Sequence, residues 1–219
     1  MKMLRVSCLI LTILFCQSIA SAGTFIEDFE SGRVDDWDEV TGTWEVEDGA
    51  YQQVDMVAEY AKTINKTLGW TNYTIEVDVT IVEGGPGSTS VCAGLLLRTD
   101  DTGTAGYRLW IRDDSNGFQF SNWIENTFQH VITNANERAT PGQANRLKVE
   151  IEDFTISAWV DDRLMFEEYE DANQLFPIGK VGFIVYNSHA KFDNLAISGE
   201  GIIAVAPAGK LAATWGSIK

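Results

Sequence analysis

Residues 73–82, YTIEVDVTIV, alternate without a break, with Ile75, Val77, Val79 and Ile81 interleaved with Thr74, Glu76, Asp78 and Thr80. A period of two does not fit an amphipathic helix. It defines an extended strand with one face buried and the other in water. Similar runs recur along the chain, each bounded by turn chemistry. GTWEVEDGAYQQV places Asp48-Gly49 between Trp44, Val46 and Tyr51, a strong local hairpin signal. NGFQFSNWI opens on Asn116-Gly117, and TISAWVDDRLMFEEYED turns at Asp161-Asp162. NRLKVEIED, GKVGFIVYN and AKFDNLAIS add further strands, and EGGPGS breaks the chain before them. About a dozen short strands with turn signals every 8–12 residues predict an all-β antiparallel sandwich or barrel. No internal repeat and no convincing amphipathic helix interrupts that pattern.

The first residues read as an address. Lys2 and Arg5 precede an apolar run from Val6 to Phe15, and Ala20-Ser21-Ala22 offers a cleavage site before Gly23. This is the pattern of a secretory signal peptide over residues 1–22, too short in its apolar part to span a bilayer. A lipoprotein anchor at Cys16 fits less well, because Phe15 stands where a small residue is wanted. The mature chain would carry 14 Lys and Arg against 32 Asp and Glu, a formal charge of −18. So acidic a protein repels nucleic acid and anionic membranes, and suits divalent cations or neutral ligands. No other segment predicts a membrane span. Cys8 and Cys16 leave with the signal, so Cys92 stands alone and burial must stabilise the core. Cys92 lies in an apolar stretch with no neighbouring His to activate it, which reads as a structural thiol. From Gly199 the pattern changes to Ala and Gly, so 23–199 is taken as one domain and 200–219 as a linker and short tail.

In order, EDFESG, GTWEVEDGAYQ, WTNYTIEVDVTI, AGLLLRTDD, GYRLWI, LKVEIEDFTISAWVDDRLMFE and GKVGFIVYNSHAKFDNLAI resemble the concanavalin A-like lectin/glucanase superfamily. The resemblance covers roughly Thr24 to Ser198 and is closest to LamG-like and glycoside hydrolase 16-like jelly-roll domains of secreted bacterial proteins. It implies a jelly roll of two antiparallel sheets, one concave and one convex. Many members bind sugars on the concave face or its rim, and many carry one calcium that joins the start of the chain to its end. Carried over, that metal site would draw on Glu27 or its neighbour, Gly49 and Asp193.

The glucanase branch takes its catalytic carboxylates from one strand in an E-x-D-x-E or E-x-D-x-x-E pattern. Here Glu76 and Asp78 begin it, but Thr80 and Ile81 stand where the third carboxylate belongs. The polar outer face of a half-buried strand accounts for both acids. Glu150 and Glu152 have the wrong register, and His130 and His189 are too isolated for zinc. Cleavage by another route, as in the 3-keto-disaccharide hydrolase relatives, has no signature in the sequence.

The hairpin CAGLLLRTDDTGTAGYRLWIR (92–112) carries the binding expectation. Tyr107, Leu109 and Ile111 share a face that suits the core, opposite Arg108, Trp110 and Arg112. An indole flanked by guanidinium groups suits a sugar: the ring stacks on the pyranose and the planar donors take hydroxyls or carboxylates. Arg98, between an apolar run and a turn, is placed at a cleft rim. Tyr107, Trp123, Tyr186 and Asn187 complete the candidate set. A partly buried Trp110 with arginines paired to Asp100, Asp101, Asp113 or Asp114 is the competing explanation. The leading expectation is a secreted, non-catalytic carbohydrate-binding or adhesion module with a polysaccharide partner. The alternatives are a divergent glycosidase of the same fold and a cell-surface module with a protein partner.

Overall fold

The computed structural model describes residues 22–56, 60–67, 69–125 and 127–203. The expected signal peptide up to residue 21 and the tail from residue 204 lie outside the described residues. Among those described there is no helix, and so none long and apolar enough to cross a membrane. The strands in chain order are β1 (Ala22–Glu27), β2 (Trp37–Thr41), β3 (Trp44–Glu47), β4 (Ala50–Gln53) and β5 (Ala61–Asn65). They continue with β6 (Tyr73–Gly84), β7 (Cys92–Thr99), β8 (Ala105–Arg112), β9 (Phe118–Ile124) and β10 (Thr127–Asn134). The last are β11 (Ala144–Glu152), β12 (Thr155–Val160), β13 (Arg163–Glu170), β14 (Lys180–Tyr186) and β15 (Ser188–Glu200).

They form two antiparallel sheets packed as the expected jelly-roll sandwich. One runs β13-β12-β11-β6-β15-β4-β3, with β1 also on β15; the other runs β10-β9-β8-β7-β14-β5-β2. The alternation in β6 is realised residue by residue, its apolar set buried and its polar set half-buried. The turn at Asp48-Gly49 has both residues at positive φ (53° and 73°), which joins β3 to β4 with the twist a hairpin needs. At the Asp161-Asp162 turn (φ 49° and 62°) short acidic side chains tolerate the same conformation.

Between the sheets lies one large core. Phe183 stacks on Phe192 at 4.1 Å and on Trp37 at 4.6 Å, and Phe29, Tyr51 and Trp44 pack around them. The seven-stranded sheet is also apolar on its outward face, where Ile64, Cys92, Leu96, Trp110, Trp123 and Ile184 form a second cluster. Its central strands are therefore buried on both sides: every residue of β7 is buried. Gly94 lets β8 lie close, since a Cβ there would stand 2.2 Å from the Leu109 carbonyl oxygen.

Candidate functional site

The second cluster is built by strand alternation. In β8, Tyr107, Leu109 and Ile111 enter the core between the sheets, so Arg108, Trp110 and Arg112 face outward. Trp123 of β9 and Tyr186 of β14 stand on that same face, and Tyr60, just before β5, packs over them. Tyr60 lies 5.3 Å from Trp123, edge to face, and 5.2 Å from Tyr186, while Trp110 lies 6.4 Å from Tyr186. The Arg108 guanidinium sits 3.6 Å from the Trp110 ring centre and 4.8 Å from that of Trp123. Burial pulls its pKa down to about 9, which leaves it protonated at neutral pH.

The indole edges are fixed by hydrogen bonds. Trp110 Nε1 donates to Gln119 Oε1 at 3.1 Å, and Trp123 Nε1 donates to the Gly103 carbonyl at 3.0 Å. Arg112 donates from Nε to Asp114 Oδ1 at 3.0 Å, from Nη1 to Gln119 Oε1 at 3.0 Å, and from Nη2 to Ser90 Oγ at 2.6 Å. Its Nη2 also reaches Asp114 Oδ2, closing a bidentate pair. Over this layer opens a pocket of about 200 Å³ lined by Tyr60, Ser90, Trp110, Arg112 and Tyr186.

Three expected residues, Trp110, Arg112 and Tyr186, are thus brought to one pocket, while the others are placed differently. Arg98 is not at a rim: it is 2% exposed, with Nε donating to the Thr71 carbonyl at 3.0 Å and Nη1 to that of Phe176 at 3.0 Å. Nη2 also reaches Thr71. Arg98 sits at a register shift between β7 and β14 with φ 44°, and such a bulge re-aims the side chain. Tyr107 points into the core and donates to the buried Asp171 at 2.7 Å. Arg108 and Trp123 are buried beneath the pocket rather than lining it. Asn187 bends the chain at φ 51°, and its carbonyl accepts the Gly85 N–H at 2.8 Å. Tyr60 and Ser90 were not anticipated from the sequence. The aromatic in VAEYAKTIN was their nearest signal.

Glu76 and Asp78 lie on the outward side of the other sheet, where Arg146 of β11 bridges them at 3.0 and 3.3 Å. The acids at the two ends of the domain are near enough to repel one another. Asp193 is half-buried, and burial first, then Asp78, Glu30 and Asp28, push its carboxyl above the ordinary range. The Glu30 carboxylate covers Gly49, where a Cβ would stand 2.8 Å from Glu30 Oε1. Glu27 accepts the Phe29 N–H at 2.9 Å, and its neighbours Asp28 and Glu30 are among the acids whose charge acts on Asp193. Among the described residues no three His, Cys, Asp or Glu side chains converge closely enough to hold a metal unaided. Calcium at this place would need backbone carbonyls, which it accepts readily.

Other hollows are larger, among them one of about 320 Å³ lined by Asn72, Tyr73, Glu150, Glu152 and Ser198. A second, of about 460 Å³ on the eight-stranded sheet, is lined by Glu150, Glu152, Glu167 and Glu168 around Trp159. A third, of about 550 Å³, lies between Phe25, Trp70 and Ile203. The smaller pocket on the seven-stranded sheet combines three aromatic faces with donors held by their own hydrogen bonds, the mix that orients a small ligand.

The structure of carbohydrate binding module CBM66 from Bacillus subtilis matches with a TM-score of 0.64 at 20% identity, covering 75% of this chain and 96% of that one. A Bacillus licheniformis beta-glucanase matches at 0.58 and 12%, covering 81% and 98%. A putative glycosyl hydrolase from Parabacteroides distasonis matches at 0.55 and 18%, covering 80% and 92%. Identities this low establish a shared fold. No curated protein matches the sequence. The family model of the 3-keto-alpha-glucoside-1,2-lyase-like domain matches residues 24–198, nearly the whole sandwich, and the chain belongs to that family.

Proposed function

We propose that this domain is an exported, non-catalytic carbohydrate-binding module that takes the end of a glycan in the pocket of Tyr60, Ser90, Trp110, Arg112 and Tyr186. The convergence of those five side chains carries the reading. A volume of about 200 Å³ is below the roughly 300–1,000 Å³ of most small-molecule sites, and so suits one terminal sugar ring. The likeness in fold to a carbohydrate binding module supports the same reading, and the pattern in Met1–Ala22 supports export.

The expected result is a thermal shift with one member of a neutral polysaccharide and oligosaccharide panel. A ligand that binds only the folded form adds about 2.7 kcal/mol at a hundred times its dissociation constant. Tyr60→Ala and Tyr186→Ala, both at half-buried positions, are expected to abolish the shift. Silence across the panel would refute the reading.

The family match favours one second reading, a lyase acting on 3-keto-glucosides at the same face. Against it, none of the five lining residues is a carboxylate or a histidine. Release of product from a 3-keto-disaccharide by the wild type, lost in Tyr186→Ala, would establish it over the binding module.

Calcium held by Asp28, Glu30, the Gly49 carbonyl and Asp193 completes the proposal, tying the segment after β1 to the last strand. Asp193 has a folded pKa above its unfolded one, so its ionised form costs stability at neutral pH, and that cost disappears as pH falls through the folded value. Asp193→Asn should therefore melt above the wild type at pH 7 in EDTA and lose that advantage in acid. With calcium the order should reverse. A wild type that melts identically in calcium and EDTA would remove the metal from the proposal.

A further inference from the structure

The pocket wall has a charge balance that the carbohydrate-binding reading leaves open, and the inference drawn from it rests on that reading. A guanidinium in a sugar site ordinarily suggests an acidic sugar, because its planar donors match a carboxylate. In this pocket the carboxylate is already supplied by the chain. Arg112 gives Nε and one Nη2 hydrogen to Asp114, the other Nη2 hydrogen to Ser90, and one Nη1 hydrogen to Gln119. A guanidinium has five N–H groups, so these contacts leave a single Nη1 hydrogen for a ligand. The Arg112 and Asp114 side chains are only 14% and 18% exposed, so the pair is held rather than dissolved in solvent.

We infer that Asp114 is a specificity-determining residue: by neutralising Arg112 it makes the pocket select a neutral terminal sugar and reject the corresponding uronic acid. A uronate carboxylate would have to displace Asp114 from Arg112 or approach beside it, with the exposed Asp113 adjacent. Arg108 offers it no relief, because that guanidinium is fully buried against Trp110 and Trp123. A hydroxyl pays no such penalty: it can accept the remaining Arg112 hydrogen and donate to Ser90 or a tyrosine oxygen. Burial raises the Asp114 carboxyl, but its hydrogen bonds from Arg112, the Asn116 N–H and Ser90 outweigh that and hold it near about 2. The pair is therefore ionised throughout the neutral range in which a uronate is charged.

The test is calorimetry with matched oligosaccharides that differ only in whether the terminal residue carries a hydroxymethyl group or a carboxylate. The wild type is expected to bind the neutral partner more tightly, on the order of tenfold or more, the worth of one charge-assisted hydrogen bond. Asp114→Asn keeps an oxygen for the Asn116 N–H and frees the guanidinium charge. It should gain affinity for the uronic partner by a similar factor, a change that damage to the pocket would not produce. Equal binding of both partners by the wild type, or an unaltered preference in a folded Asp114→Asn, would overturn the inference. If Asp114→Asn does not fold, the wild-type comparison alone decides. A wild type that binds neither partner, nor anything else in the panel, refutes the carbohydrate reading itself and is thereby distinguished from a failure of the charge rule.

Discussion

Arg98→Ala is expected to destabilise the domain by about 3 kcal/mol or more, through loss of hydrogen bonds to charge and exposure of buried acceptors. That corresponds to roughly 6–12 °C in melting temperature for a chain of this size. The guanidinium holds the carbonyls of Thr71, before β6, and Phe176, before β14, so one side chain fastens two loops to the end of β7. Its own N–H donates to the buried Tyr73 hydroxyl at 3.2 Å. Gly179 closes the other side, where a Cβ would stand 2.2 Å from the Arg98 carbonyl carbon. Arg98→Lys should rescue little, because a single ammonium cannot span two carbonyls in a planar fork. Urea denaturation provides the measurement. Near-normal stability with loss of glycan binding would return Arg98 to the ligand site.

Phe183→Ala is expected to cost about 3–5 kcal/mol, the range for truncating a buried aromatic residue. Phe183 is 1% exposed and lies between Phe192 of the facing sheet and Trp37 of its own, with Tyr51 and Phe29 at its edges. No neighbour is flexible enough to refill the space, since the surrounding rings hold one another in tilted and stacked contacts. The denaturant midpoint should fall while the m-value stays constant. A loss below about 1 kcal/mol would mean that the column collapses onto the gap, contrary to the close packing described.

How much of this was written in the sequence depended on how far each residue's partners lie along the chain. β6 was legible because its environment changes at every residue, core on one side and water on the other. The β3–β4 turn was legible because Asp-Gly is a local requirement of the hairpin. β5 was not: AKTIN is buried throughout, so it carries no alternation to read. β2, inside what reads as a polar loop, was missed because its burial pattern, with Trp37 alone fully buried, has no period of two. The faces of β8 were assigned correctly from their period, which placed Trp110 and Arg112 outward. What alternation could not supply was the cover. Tyr60 and the Gly103 carbonyl pack over Trp123 from separate loops and bury a ring that the strand pattern leaves facing outward. Arg98 was misplaced for a related reason. Its acceptors are backbone carbonyls 27 and 78 residues away, and a carbonyl has no residue type to betray it.

The position of β15 has a consequence for how the chain comes together. The strand borders β6 along one edge and both β4 and β1 along the other, so the middle of the eight-stranded sheet is filled by the last strand among the described residues. Without β15, β1 and the β3–β4 hairpin have no strand through which to dock on the sheet. Their docking waits on contacts that span most of the domain, and such non-local closure is slow. The eight-stranded sheet is therefore completed only when β15 is in place, whereas every strand of the facing sheet precedes it in the chain.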